Sequence, residues 1–118
     1  MSRLQPEALQ AIRDLGGTSN LLEQIVRLYF DTTPSLIANL KTALAASDLD
    51  GIRSAAHSLK SGSANLGARD LAQMCAKLEA AARTGSMGAD APDAGAIERE
   101  YQQVSAALLA ELDKTSLD

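Results

Sequence analysis

The sequence predicts an all-α fold: an antiparallel four-helix bundle, up-down-up-down, with a short extra helix at the N-terminus. Three observations carry this. Apolar residues recur with the 3.6-residue helical period in nearly every segment between breakers, and no convincing run of strand-type alternation occurs. The composition is aliphatic, with 46% apolar residues but no Trp, two Tyr and one Phe, and the dominant Ala and Leu are good helix formers. The 118 residues fit one domain, residues 1–118, large enough to remove about two-thirds of the unfolded chain's surface from water.

The first helix opens near Pro6, a favourable first-turn residue, and runs to Gly16-Gly17 with Leu9, Ile12 and Leu15 on one side. The second follows Asn20, which with Glu23 resembles a capping box, and shows Leu21, Leu22, Ile25, Leu28, Tyr29 and Thr32 on one stripe. Pro34 lacks an amide hydrogen and restrains Thr33, so two half-helices are expected, the second resuming with Leu36, Ile37, Leu40, Ala43 and Leu44. Asp48 suits the N-cap of a third helix whose apolar side is Leu49, Ile52, Ala55, Ala56, Leu59, Ser63 and Leu66. Gly67 and Ala68 end it. Asp70 is the expected cap of a fourth helix carrying Leu71, Met74, Cys75, Leu78, Ala81 and Ala82, and the two together form a helical hairpin. Thr84 to Gly95, small and acidic with no apolar period, reads as a loop, and a last helix carries Ile97, Tyr101, Val104, Leu108 and Leu112.

A net charge of −4 argues against sequence-independent binding to nucleic acid or to an anionic membrane, since both need a basic surface. The start has no apolar stretch of the signal-peptide type, and nowhere do 18 apolar residues run together, so neither export nor membrane insertion is expected. One Cys and one His make neither an internal disulfide nor a zinc site. The di-iron bundle pattern needs Glu-x-x-His pairs that are absent here. A cytoplasmic protein without a metal of its own is the expectation.

With Ile52 set at zero and about 100° per residue, the apolar side of the third helix spans roughly −60° to +40°, whereas His57 lies near 140° and faces outward. Asp50, Arg53, Lys60, Ser61, Ala64 and Ala68 share that side, so the imidazole stands above small residues. Gly62 inside a helix costs about 1 kcal/mol relative to Ala. Either a neighbouring helix packs closely there, or an outside body needs room to reach the ring, and the two are compatible.

Arg53 and Lys60 bracket the imidazole. Positive neighbours oppose both protonation and metal binding, but they suit a ring that takes up a dianionic phosphoryl group. If the hairpin reverses near Ala68, Glu79 lies level with His57 and Arg83 level with Arg53. A carboxylate accepting the proton of one ring nitrogen leaves the other nitrogen's lone pair free to attack phosphorus. The alternatives are weaker. A Ser61–His57 dyad lacks an oxyanion hole, SGSANLG does not match a phosphate-loop spacing, and Cys75 lies on an apolar stripe.

The stretch Ala55 to Ala68, AAHSLKSGSANLGA, resembles the signature of histidine-containing phosphotransfer (HPt) domains: His, two residues, Lys, a small Gly/Ser-rich run, and a further Gly. The order of helices along the chain is similar as well. The resemblance implies that His57 is the phospho-acceptor, that Lys60 lies by the phosphoryl oxygens, with Arg53 and Arg83 as further candidates, and that Glu79 stands where members often place a Gln or Glu beside the ring. Ser61, Gly62, Ala64 and Gly67 are the expected partner-access positions, with Ser61 departing from the family's usual Gly after the Lys. Val26, Phe30 and Ile37 either add an apolar docking patch or lie under the first helix. The resemblance implies a phosphocarrier without autonomous kinase activity, which accepts a phosphoryl group from an aspartyl phosphate on a response-regulator receiver domain and passes it to another receiver aspartate. Mg2+ is expected on the receiver, and a hybrid sensor histidine kinase in cis is a further possible partner. A monomer is expected. The alternative function is a helical docking module without phosphotransfer.

Overall fold

The computed structural model describes residues 3–17, 20–88 and 91–116, the last three by backbone alone. Five helices follow in order: α1 (Pro6–Gly16), α2 (Leu21–Ala45), α3 (Leu49–Asn65), α4 (Arg69–Thr84) and α5 (Ala94–Ser116). No strand occurs among the described residues. Helices α2 to α5 form the bundle, each packed on the next, with α5 closing back on α2 and α1 lying against α2. The connections of α2 to α3 and of α3 to α4 are three residues each, too short for anything but antiparallel neighbours.

The core is the predicted aliphatic one, with Leu40, Ile52, Leu59, Leu71, Leu78, Ile97, Val104 and Leu108 withdrawn from water. Burying each such side chain contributes about 1.5–3 kcal/mol. Several expectations need correction. Pro34 does not split α2, which is continuous through it. The missing amide removes one hydrogen bond, but Tyr29, Thr33, Ile37 and Leu40 continue a single buried stripe across the proline, and that packing holds the two turns in line.

That stripe also differs from the predicted one. Leu22, Val26, Tyr29 and Thr33 face the core, whereas Leu28 is 62% exposed and Thr32 lies outside. Both registers have helical spacing, and the neighbours of α2 select the buried one. Val26 and Ile37 are therefore core residues, not a docking patch, and Phe30 is half-buried against the same core. Leu15, expected on the apolar side of α1, is 82% exposed. Asn20 makes no side-chain cap. The cap of α4 falls on Ala68, which places Asp70 in the first turn, where its charge favours the helix dipole instead.

Candidate functional site

Asp48 starts α3 as predicted, its carboxylate accepting the Gly51 amide at 3.1 Å. From there Ile52, Ala55, Ala56, Leu59 and Ser63 turn inward, which sends His57 outward with 59% of its side chain exposed. At the far end Gly67 adopts φ +77°, and Ala68 N–H closes on Ser63 C=O at 2.9 Å, the left-handed helix stop that favours glycine. The chain reverses, and α4 buries Leu71, Cys75, Leu78 and Ala82.

Glu79, beside Leu78, points to α3. It is only 4% exposed and receives three donors. His57 Nδ1 lies 2.9 Å from Oε2, Arg83 donates to the same oxygen at 3.1 Å, and Lys60 Nζ lies 2.6 Å from Oε1. The height estimate from the hairpin is met. A buried carboxylate is tolerable only when paired in this way. The Lys60 hydrogen bond holds the Glu79 carboxyl below the usual carboxylate range against the upward push of burial, and His57 adds to the lowering. An ionised carboxylate only accepts, so Nδ1 carries the proton and the exposed Nε2 keeps its lone pair.

The predicted residues thus separate into two groups. His57, Lys60, Glu79 and Arg83 form one cluster, while Arg53 turns to Asp50 at 4.0 Å, both exposed. Lys60 is not a free cation beside the ring but a partner of Glu79. Ser61 and Ala64 are exposed around the histidine. Gly62 is half-buried, and a Cβ there would meet the Tyr29 ring at 3.5 Å, so close helix packing accounts for it in part. Gly67 is a correction. It is buried, and a Cβ on it would lie 2.9 Å from the backbone N and O of Gln5; its neighbour is the chain's own N-terminal segment, leaving no approach for a partner. Ala68 is buried as well.

Tyr29 is the supporting residue that sequence reasoning placed in the core without giving it a task. Its hydroxyl shares a buried 2.9 Å hydrogen bond with Ser63, and its ring meets Tyr101 edge-on at 5.5 Å. Burial pushes its pKa up to about 12. The bond ties α2 to α3 six residues beyond His57. The signal was a Tyr and a Ser both on core-facing positions, where each polar end needs a partner.

The Hpt domain family model matches residues 24–107. The chain belongs to the Hpt domain family. A solved relative agrees with this: the crystal structure of histidine-containing phosphotransfer protein B (HptB) from Pseudomonas aeruginosa PAO1 aligns with a TM-score of 0.84 and 28% identity, over 95% of this chain and 96% of that one. No curated protein matches the sequence. This Hpt domain is a phosphocarrier for histidine phosphotransfer in phosphorelay signalling, a role in which such domains interact with receiver domains. Among the described residues, no helix is long and apolar enough to cross a membrane.

Proposed function

We propose that His57 carries the phosphoryl group, taking it from the aspartyl phosphate of one receiver domain and giving it to the aspartate of another. The observation that supports this most is the exposed imidazole whose Nδ1 is hydrogen-bonded to a buried carboxylate. In the first step the Nε2 lone pair attacks phosphorus, the N–P bond forms, and the P–O bond to the donor carboxylate breaks with its electron pair leaving on oxygen. The Nδ1 proton stays in place, and Glu79 offsets the positive charge the ring acquires. Onward transfer reverses this, the pair of the N–P bond returning to Nε2.

Lys60 and Arg83 hold the Glu79 carboxylate that orients the ring, and Ser61, Gly62 and Ala64 leave room for the receiver's aspartate to approach. Among the described residues, the carboxylate hydrogen-bonded to the ring is already engaged by Lys60 and Arg83, which supports a reading in which Mg2+ is held by the receiver and this chain brings no cofactor. The segment SGSANLG finishes a helix and turns a corner, which supports a carrier that has no kinase activity of its own. It works as a monomer in the cytoplasm.

The test is to incubate the protein and its His57→Gln variant with a receiver domain loaded from radiolabelled acetyl phosphate. Acid-labile label on the wild type alone is expected. Equal labelling of both ends the reading, and binding without any label indicates a docking module.

A further inference from the structure

The two cations that a phosphoryl group would need are already occupied. Lys60 and Arg83 both bind Glu79, at 2.6 and 3.1 Å, and the same carboxylate lies 2.9 Å from Nδ1 of the ring. With a neutral ring, the cluster has one positive charge in excess, against the nearly two negative charges of a phosphoryl group. The phosphorylated state is therefore incompletely compensated. The carboxylate is also not displaced easily, because it is buried on the α3 side of α4 and would lose all three partners on leaving.

We propose that Glu79 sets the transfer potential of phosphorylated His57, withholding Lys60 and Arg83 from the phosphoryl oxygens and keeping the proton on Nδ1 so that the group is held loosely and leaves readily. The inference rests on His57 being the acceptor. Both effects act in one direction. A phosphoryl group leaves an Nδ1-protonated ring as neutral imidazole, whereas an unprotonated ring would have to leave as an anion, a far poorer leaving group. Cations shared with a carboxylate stabilise phosphate less than free ones do. The carboxylate thus favours onward delivery over storage, and it acts through the ring and the two cations without touching phosphorus.

One unit of charge within about 6 Å, at an effective dielectric near 20 and partly screened by solvent, changes such an equilibrium by about tenfold or more. The test compares wild type, Glu79→Gln and Arg83→Gln after labelling with radioactive phosphoramidate and removal of the donor. Label loss over time is followed, and then the partition of label with an added unphosphorylated receiver domain. Glu79→Gln keeps a hydrogen-bond acceptor for Nδ1 but frees the cations, so its label is expected to last about tenfold longer and to partition about tenfold further toward this chain. Arg83→Gln removes an exposed cation and leaves the His57–Glu79 contact, so its label is expected to be shorter-lived and to pass more completely to the receiver. Opposite shifts separate charge tuning from damage to the fold, which moves both variants the same way. A Glu79→Gln lifetime equal to or shorter than wild type, or shifts of the same sign in both variants, overturns the inference. Wild type that takes no label, or a His57→Gln variant that does, overturns the underlying assignment instead.

Discussion

Replacing Gly67 by alanine tests whether that glycine serves the fold or the partner. Its φ of +77° costs a residue with a Cβ about 1–2 kcal/mol. The added methyl would meet two backbone atoms of Gln5 at 2.9 Å, neither of which moves without the segment leading into α1. Pushing that segment away breaks the Gln5 N–H to Gly67 C=O bond of 2.8 Å, a further ~1 kcal/mol, and begins to uncover Leu4, which is buried beside it. The total is about 2–4 kcal/mol, out of a typical domain stability of 5–15 kcal/mol. Urea denaturation followed by circular dichroism reads it. With a slope of about 1.5–2 kcal/mol per molar, the midpoint falls by roughly 1–3 M. Below its own transition the folded variant keeps the wild-type rate of phosphoryl transfer, since Gly67 lies under the N-terminal segment and away from the ring. The control is Gly62→Ala, whose methyl meets Tyr29 at an ordinary 3.5 Å and gains about 0.5–1 kcal/mol of helix stability. A Gly67→Ala protein as stable as wild type but slow in transfer refutes the reasoning and restores the partner-access role.

Tyr29→Phe strands the Ser63 hydroxyl in a site with no solvent exposure and costs about 1–2 kcal/mol in thermal or urea unfolding. The double variant with Ser63→Ala recovers part of this, a coupling of about 0.5–1 kcal/mol. Burial pushes the Cys75 thiol up to about 12 from an ordinary 9.0, so iodoacetamide at pH 8 leaves the native protein unmodified and reacts only once urea unfolds it. By the same linkage the unfolded state loses that proton first, and stability falls as pH rises from about 9 toward 12, with Tyr29 adding to the loss above 10; urea midpoints at pH 8 and pH 10.5 check the sign. Glu79 works in the opposite sense. Its lowered carboxyl contributes stability above the ordinary 4.5 that is lost as pH falls through the folded value, and Glu79→Gln flattens that acid limb of the unfolding curve. Lys60→Gln changes the label lifetime on His57, whereas Arg53→Gln leaves it at the wild-type value because Arg53 sits with Asp50, outside the cluster.

Much of the molecule is readable from local periodicity. The outward azimuth of His57 follows from the apolar side of its helix. Its level with Glu79 follows from a hairpin reversed near Ala68, because helical rise is the same in any protein. Asp48 as a cap and Cys75 as a core residue needed only their own neighbours in sequence.

Other features depend on what lies across the interface. Two apolar registers compete along α2, and only the positions of α3, α5 and α1 choose Val26 and Thr33 over Leu28 and Thr32. The proline that sequence rules treat as a break is carried through by packing on both sides of it. Gly67 looks like part of an open surface until Gln5 is seen lying on it, a contact between residues more than sixty positions apart. Lys60, which its spacing assigns to a phosphoryl group, binds a carboxylate that only the α3–α4 packing brings within reach. Periodicity sets the direction in which a side chain leaves its own helix. The partner it meets, and with it the charge left over for a phosphoryl group, is decided by elements the helix has no local means of specifying.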